Sequence, residues 1–389
     1  MKHLKKAAVA VVGGGVIGAS VAYHLAINGV RNVVVLDRGS MPGAGSTSRA
    51  TGGFRAQFGT AINVRLSIAS REMLLRFPDD IGADPEYSPV GYLWLASSDA
   101  QLASLLAAQR SQHAEGLREA VMINPGEAAS INPAVSLDGV IGGAFCPTDG
   151  YIRPMAILRG YLGAAKWLGA RVQWRTDVVG MSCNANGRIE KLRTSRGEMA
   201  VDAVVNAAGP WAARLAAMAG ASLPVVPLRR QVAVSRPPDV LPETTPMTIF
   251  VDDGFHFRVR DGRVMLVWPT PGAPGDPFDV SVEPEWIEAV TAKARQRVPA
   301  LRDAVIKRNS CYAGLYEMSP DRHAIVGVSA ECENLFFVNG SSGHGVMHAP
   351  ALGRAIGEVI CGFPPTLDVS ELSPLRFAEG RAIEAAELL

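Results

Sequence analysis

Residues 7–18 read Ala7-Ala-Val-Ala-Val-Val-Gly13-Gly-Gly15-Val-Ile-Gly18, and a second apolar run, Val33-Val-Val-Leu36, ends on Asp37. Each run has the length of a buried parallel strand and falls short of a membrane span. Between them the glycines form a G-x-G-x-x-G turn, with Val16 and Ile17 inside it, that opens a helix. Gly13 permits the tight turn, Gly15 lets a pyrophosphate approach the backbone, and Gly18 lets helix and strand pack closely. N–H groups at the helix start suit the phosphates, and Asp37 is placed to accept from ribose hydroxyls. The stretch predicts an α/β Rossmann-type domain with a dinucleotide site. By itself it does not separate NAD from FAD.

Upstream, Lys2-His-Leu-Lys-Lys before an apolar run has the outline of a secretory leader. The glycine interruption and the second strand favour the strand reading. Downstream, residues 42–59 form a Gly/Ser/Arg-rich loop, long enough to suggest function. Helices are predicted over 19–27, 61–77, 154–168 and 349–361, and a strand over 92–96. Ser98 and Gln101 form a capping box for a helix to about residue 112. Residues 177–205 read as a three-stranded meander turning at Asn186-Gly187 and Arg196-Gly197. Strands at 228–235, 247–251, 255–260 and 263–268 suggest an antiparallel sheet in a second domain. After residue 311 the βα texture returns, with a strand over 335–338.

The 389 residues exceed a usual single domain, and 48% hydrophobic with 19% charged residues excludes a disordered chain. We divide the chain into a discontinuous cofactor domain (1–85, 146–222 and 311–389) and a substrate domain (86–145 and 223–310). Lys plus Arg is 38 against 37 for Asp plus Glu, so no basic surplus points to nucleic acid. No other segment is long and apolar enough for a transmembrane helix. The five cysteines are dispersed without a Cys-x-x-Cys pair. That argues against a disulfide framework or a zinc site, predicts no metal, and favours a reducing, cytoplasmic compartment.

A second glycine-rich loop, Asn339-Gly-Ser-Ser-Gly-His-Gly345, lies between the predicted strand at 335–338 and the helix at 349–361. Its glycines allow backbone to lie against a flat ring. The positive end of the following helix suits the negative charge of a reduced flavin. An ordinary turn is the alternative.

Five stretches in one order carry a resemblance beyond the first turn: Gly45-Ser-Thr-Ser-Arg-Ala-Thr-Gly-Gly-Phe-Arg-Ala-Gln-Phe58, Pro147-Thr-Asp-Gly150, Val205-Asn-Ala-Ala-Gly-Pro-Trp211, Ala313-Gly-Leu-Tyr-Glu-Met-Ser-Pro-Asp-Arg-His-Ala-Ile-Val-Gly327 and Gly343-His-Gly345. The chain resembles the FAD-dependent amino-acid and amine oxidoreductases of the D-amino-acid oxidase superfamily. These include glycine and sarcosine oxidases and the β subunits of sarcosine oxidase and L-proline dehydrogenase. The resemblance implies a flavoprotein whose second sheet roofs the flavin. It implies that Arg38, Ser46, Thr47, Ser48, Arg49, Thr51 and Gly52 line the FAD. Val178 would lie beside the adenine, with Ala208, Gly209, Trp211 and Gly314 also on the cofactor. Gly343, His344, Gly345, Val346 and Met347 would stand at the flavin's pyrimidine edge.

The same resemblance implies oxidation of a C–H next to nitrogen, with hydride passing to the flavin and the imine then hydrolysing. An amino-acid carboxylate calls for an arginine, and Arg55 matches the family's carboxylate-binding position. A surface or structural arginine is the alternative. His256 matches a substrate-contacting aromatic position. On its strand, Phe255, Phe257 and Val259 alternate with His256, Arg258 and Arg260, one face for core or flavin and the other for solvent. Tyr316 stands where some relatives carry an arginine. His344 joins Arg55, His256 and Tyr316 as a candidate catalytic residue, and Arg229 and Arg230 are reserve anchors.

Two departures matter. The position of the covalent Cys in monomeric sarcosine oxidases is Gly314 here, which predicts non-covalent FAD. Their oxygen-activating Lys corresponds to Met265, which favours a dehydrogenase passing electrons to a redox partner over O2. The expected substrate is a small amino acid or secondary amine such as sarcosine, glycine or proline. The alternatives are a 2-hydroxy acid, or an electron-relay subunit of a hetero-oligomer.

Overall fold

The computed structural model describes residues 7–236, 241–269 and 275–384. The basic stretch from Lys2 to Lys6 lies outside them. Strand Ala7–Val12 runs parallel to Val33–Leu36 on one side and to Gly197–Asn206 on the other. The parallel ladder continues to Arg171–Gln173 and to Leu335–Asn339, and Ile325–Val328 closes one edge antiparallel. Val33–Leu36 is buried at every residue because both faces of the sheet are covered. Val9, Val11, Val33 and Val35 pack with the helices Val16–Ile27, Pro154–Trp167 and Gly345–Cys361. Ala10, Val12, Val34 and Leu36 pack with the meander Val178–Cys183 and Ile189–Thr194 and with helix Ala212–Ala217. Gly197–Asn206 joins the two motifs. Its first residues pair antiparallel with the meander, and from Val201 onward it runs parallel to Ala7–Val12.

The second sheet orders its strands as Tyr312–Met318, Val226–Val234, Arg263–Val267, His256–Arg260, Met247–Phe250, Tyr92–Ala96, Gly142–Cys146 and Val121–Ile123. It is mixed rather than wholly antiparallel, because Met247–Phe250 runs parallel to Tyr92–Ala96. The strand at 312–318 belongs to this sheet, although the returning βα texture reads as part of the first. Helix Pro284–Arg297 covers the outer face through Trp286, Ile287, Val290 and Ala294.

Several element bounds differ from the sequence reading, each for a local reason. The first helix begins at Val16 because Gly15 is extended and serves as N-cap. The helix expected over 61–77 breaks at Arg76 into Ala61–Leu75 and Phe77–Ile81, where Pro78 favours a fresh first turn. Ser98 caps Asp99–Ala114 by accepting from Gln101 N–H, but the Gln101 side chain accepts from Ser97 N–H instead of closing the box. The last helix starts at Gly345, a turn before Ala349, with Pro350 inside it. No helix among the described residues is long and apolar enough to cross a membrane. None of their His, Cys, Asp and Glu side chains cluster to hold a metal.

Candidate active site

One cavity of about 920 Å³ runs from the first glycine turn to the underside of the second sheet. At the turn, Gly13 has φ of +113°, and a Cβ there would lie 2.1 Å from Ala207 O. A Cβ on Gly18 would lie 1.9 Å from Gly13 O, so Gly18 sets the contact of helix with strand and does not border the cavity. Gly15 has only Thr47 Oγ1 near its missing Cβ, at 3.3 Å, and borders open space. Asp37 accepts from Gly14 N–H and Gly39 N–H, each at 2.6 Å, which orients its carboxylate at the end of its strand. Each oxygen retains acceptor capacity for a further donor. A glycine cradle, a helix N-terminus and an acid in this arrangement fit a bound dinucleotide.

The loop after Asp37 is tied to the second sheet. The short 3-10 turn Thr47–Arg49 offers Thr47 Oγ1 to Val16 N–H at 3.1 Å. Ser46 Oγ donates to Leu315 O at 2.7 Å, and Arg49 donates to Ala313 O. Arg49 lies on Gly314, where a Cβ would come to 3.0 Å of Arg49 Cβ. Ser48, in the middle of the turn, is exposed and does not border the cavity. Thr51, Gly52, Val178, Ala208 and Gly209 do border it. Arg38 stacks over Trp211 at 3.9 Å, and both line the same end.

The second glycine-rich loop reaches the cavity through Gly343, His344, Gly345, Val346 and Met347. Gly343 has φ of +93°, and a Cβ there would strike the Tyr316 ring at 2.6 Å. The earlier helix start places the free first-turn N–H groups of this helix beside the cavity.

The roof over the other end is one face of the second sheet. Leu228, Arg230 and Val232 alternate along one strand, and Val267, His256 and Ile249 continue across its neighbours. Phe255, Phe257 and Val259 face the apolar core instead. The polar face of that strand turns to the cavity through His256 and to the loop at residues 50–51 through Arg258 and Arg260, rather than to bulk solvent. Arg258 is buried, donates to Thr51 O and stacks over Tyr151 at 3.6 Å. Arg260 reaches Ala50 O and Thr51 O at 3.4 Å. Arg229 points away and pairs with Asp279 and Glu283 outside the cavity. Met265 is buried with Val232, Val234 and Val267. No lysine or cysteine is found among the described residues that line the cavity.

Arg55 is 5% exposed and lies over the Phe58 ring at 4.3 Å and the Trp94 ring at 5.0 Å. Its Nη2 donates to His344 Nε2 at 3.1 Å. Burial lowers its pKa, opposed by Tyr92, Asp149 and Tyr316. The backbone after it is pinned by Asp149. Asp149 accepts from Ala56 N–H at 2.7 Å, from Gln57 N–H at 3.3 Å and from Gln57 Nε2 at 3.1 Å. Burial pushes the Asp149 carboxyl up to about 6. His256 donates Nδ1–H to Gly254 O at 2.8 Å, which leaves Nε2 as an acceptor. Burial, then the Arg55 and Arg230 charges, lower its pKa to about 4. Burial also raises the Tyr316 phenol, opposed by Arg230 and Arg55.

Sequence reasoning passed over Tyr92, Asp149, Glu317, Arg322 and His323. Pro147-Thr-Asp-Gly150 marks a special turn, but nothing local shows that Asp149 holds the loop at 56–57. Glu317 and Arg322 lie within a motif already noted, and only the placement of that stretch against the first glycine-rich domain brings them to the cavity.

The comparisons with known proteins agree with this geometry. A family model described as FAD dependent oxidoreductase (DAO) matches residues 8–359. The chain is 28% identical to FAD-dependent oxidoreductase domain-containing protein 1 of Xenopus laevis, over 96% of this chain and 83% of that protein. It is 28% identical to glycine oxidase of Geobacillus kaustophilus, over 95% of this chain and 96% of that protein. The solved structure of L-proline dehydrogenase from P. horikoshii superposes with a TM-score of 0.89 at 29% identity, covering 98% of this chain and 99% of the other. The chain belongs to the FAD dependent oxidoreductase family named for DAO, and it is an FAD-dependent enzyme.

Proposed function

We propose that this enzyme oxidises the C–N bond of a small amino acid or secondary amine to an imine that hydrolyses. One observation carries the reading. A single cavity joins the dinucleotide cradle to a buried Arg55 and a neutral His256. FAD, when bound, supplies the two-electron acceptor.

Arg55 binds the substrate carboxylate, because its stacked guanidinium is held rigid by Phe58 and Trp94. Only the neutral amine releases its α-hydride readily. Two guanidinium groups near the site disfavour the ammonium form of the substrate. His256 Nε2 accepts a hydrogen bond from the substrate N–H and orients it. With a pKa of about 4 the imidazole is too weak a base to carry the amine proton at neutral pH. Tyr316 closes the far wall. The G-x-G-x-x-G turn, Asp37, Arg38 and Thr47–Arg49 hold the cofactor. Attachment is non-covalent in this reading, since Gly314 offers no thiol and no cysteine lines the described cavity.

The resemblance places Met265 where an oxygen-activating lysine would stand, which favours a redox partner over O2 as electron acceptor. The test is anaerobic bleaching of the flavin band by D-, L- and N-methyl amino acids, with air then readmitted. Bleaching by one substrate supports amine oxidation, and slow return of colour supports the partner. No bleaching across the panel overturns the assignment to amino acids.

A further inference from the structure

The substrate end of the cavity carries more positive charge than one carboxylate needs. Arg230 projects from Val226–Val234 into the cavity between Leu228 and Val232. Its Nη1 donates to Arg229 O at 3.4 Å, and its guanidinium lies 5.8 Å from the Tyr316 ring centre. Among the described residues no carboxylate forms an ion pair with it. Arg322, held at φ of +60°, lines the cavity close enough to depress the Arg230 pKa further. A half-buried cation without a counter-charge is costly, and such a group aimed into a cavity marks the seat of an anion.

Arg230 and Arg55 are separate anchors. Arg55 lies over Phe58 and Trp94 and donates to His344, whereas Arg230 lies by Tyr316 and donates to Arg229 O. The two guanidiniums are therefore held by different partners on different elements. A single carboxylate gripped by both would require them to converge. The acids that line the cavity do not fill the gap: Asp37 holds backbone at the glycine turn, Asp177 is exposed beside Val178, and Glu317 accepts from Ser341 N–H.

We propose that the preferred substrate is an amino acid with a second carboxylate, its α-carboxylate on Arg55 and the second between Arg230 and Arg322. An N-carboxyalkyl amino acid or an acidic side chain meets this description. The inference rests on the amine-oxidase reading, and its test is separate from that reading. Unreactive α,ω-dicarboxylic acids from malonate to adipate, and the matching monocarboxylic acids, are titrated into the oxidised FAD-loaded protein. The flavin spectrum reports binding, and no turnover is needed.

At least one diacid is expected to bind 10-fold or more tightly than its monoacid. In Arg230→Met that ratio should fall toward 1, and Arg230→Lys should retain part of it. Equal binding of diacids and monoacids by the wild-type protein overturns the proposal. So does a ratio unchanged in Arg230→Met with FAD content intact. Amine oxidation stands or falls separately, on anaerobic bleaching by amines. Diacid preference without bleaching keeps the two-anchor site and removes the reaction.

Discussion

Arg55 donates through Nη2 to Nε2 of His344 at 3.1 Å. Arginine has no acceptor, so His344 meets it as a neutral ring with its proton on Nδ1. The contact joins the loop that follows Asp37 to the residue that caps the helix Gly345–Cys361. Two stretches far apart in sequence therefore meet at the proposed carboxylate seat.

Replacing Arg55 by Lys or Met should weaken a carboxylate substrate at least 30-fold. That corresponds to about 2 kcal/mol, the low end for losing one partner of a desolvated charge pair. Lys loses both the fork and the stack on Phe58. The check is the apparent Kd for anaerobic flavin reduction, with FAD content measured alongside. An unchanged Kd in Arg55→Met would remove Arg55 from the substrate site.

Asp149 acts through the backbone it holds. Asp149→Asn keeps the shape but replaces one acceptor oxygen by a donor facing N–H groups of Ala56 and Gln57. The loop carrying Arg55 should loosen, raising the substrate Kd by about 10-fold, with a destabilisation of about 1–3 kcal/mol. Substrate titration and thermal unfolding of the holoprotein give the two numbers. A loss of stability with no change in Kd would make Asp149 purely structural.

Gly18→Ala tests the cradle. The added Cβ would meet Gly13 O at 1.9 Å, backbone that has no way to yield cheaply. The helix must shift from the strand, and FAD occupancy should fall several-fold at fixed FAD concentration. Gly29→Ala is not a fair control, since Gly29 has φ of +88°. Gly163→Ala is, because it lies within a helix with open space around the new methyl. Equal FAD content in Gly18→Ala and Gly163→Ala would sink the packing argument.

Local chemistry explains which parts were legible in sequence. The strand 7–12, its glycine turn and Asp37 are encoded within one short stretch, and the structure keeps those strand bounds. The strand 92–96 was equally plain from its apolar run. Residues 312–318 were not, because a strand's partner is set by contacts far away in sequence, here Val226–Val234. The helix start at Gly345 was hidden by Pro350, which looks like a first-turn proline. Arg229 and Arg230 were equivalent candidates until strand alternation sent one to Glu283 and the other into the cavity.

Arg376 and Asp321 hold the segment behind the cavity. Both are buried, and the pair is bidentate, with Nε to Oδ2 at 2.7 Å and Nη2 to Oδ1 at 2.9 Å. Removing one partner strands the other charge, so Arg376→Ala should destabilise by about 3–5 kcal/mol. The double replacement Arg376→Leu with Asp321→Leu should cost less than the sum of the singles. Additive losses in chemical denaturation would show that the pair does not act as a unit.

Glu317 supplies a pH signature. Burial pushes its carboxyl up to about 7 from an ordinary 4.5, with Ser341 and Asn339 opposing the rise. A raised folded-state pKa means that the native protein holds this proton more tightly than the unfolded chain does. The resulting stabilisation is fully present below pH 4.5 and is lost as the pH rises through 7. Glu317→Gln removes that linkage. The stability difference, wild type minus Glu317→Gln, should therefore decline by about 3 kcal/mol between pH 4.5 and above 7. Denaturant unfolding at several pH values, on matched holoproteins, measures it. A difference that stays flat across that window would mean that Glu317 titrates as an ordinary carboxylate, and that its seat beside Ser341 is open to water.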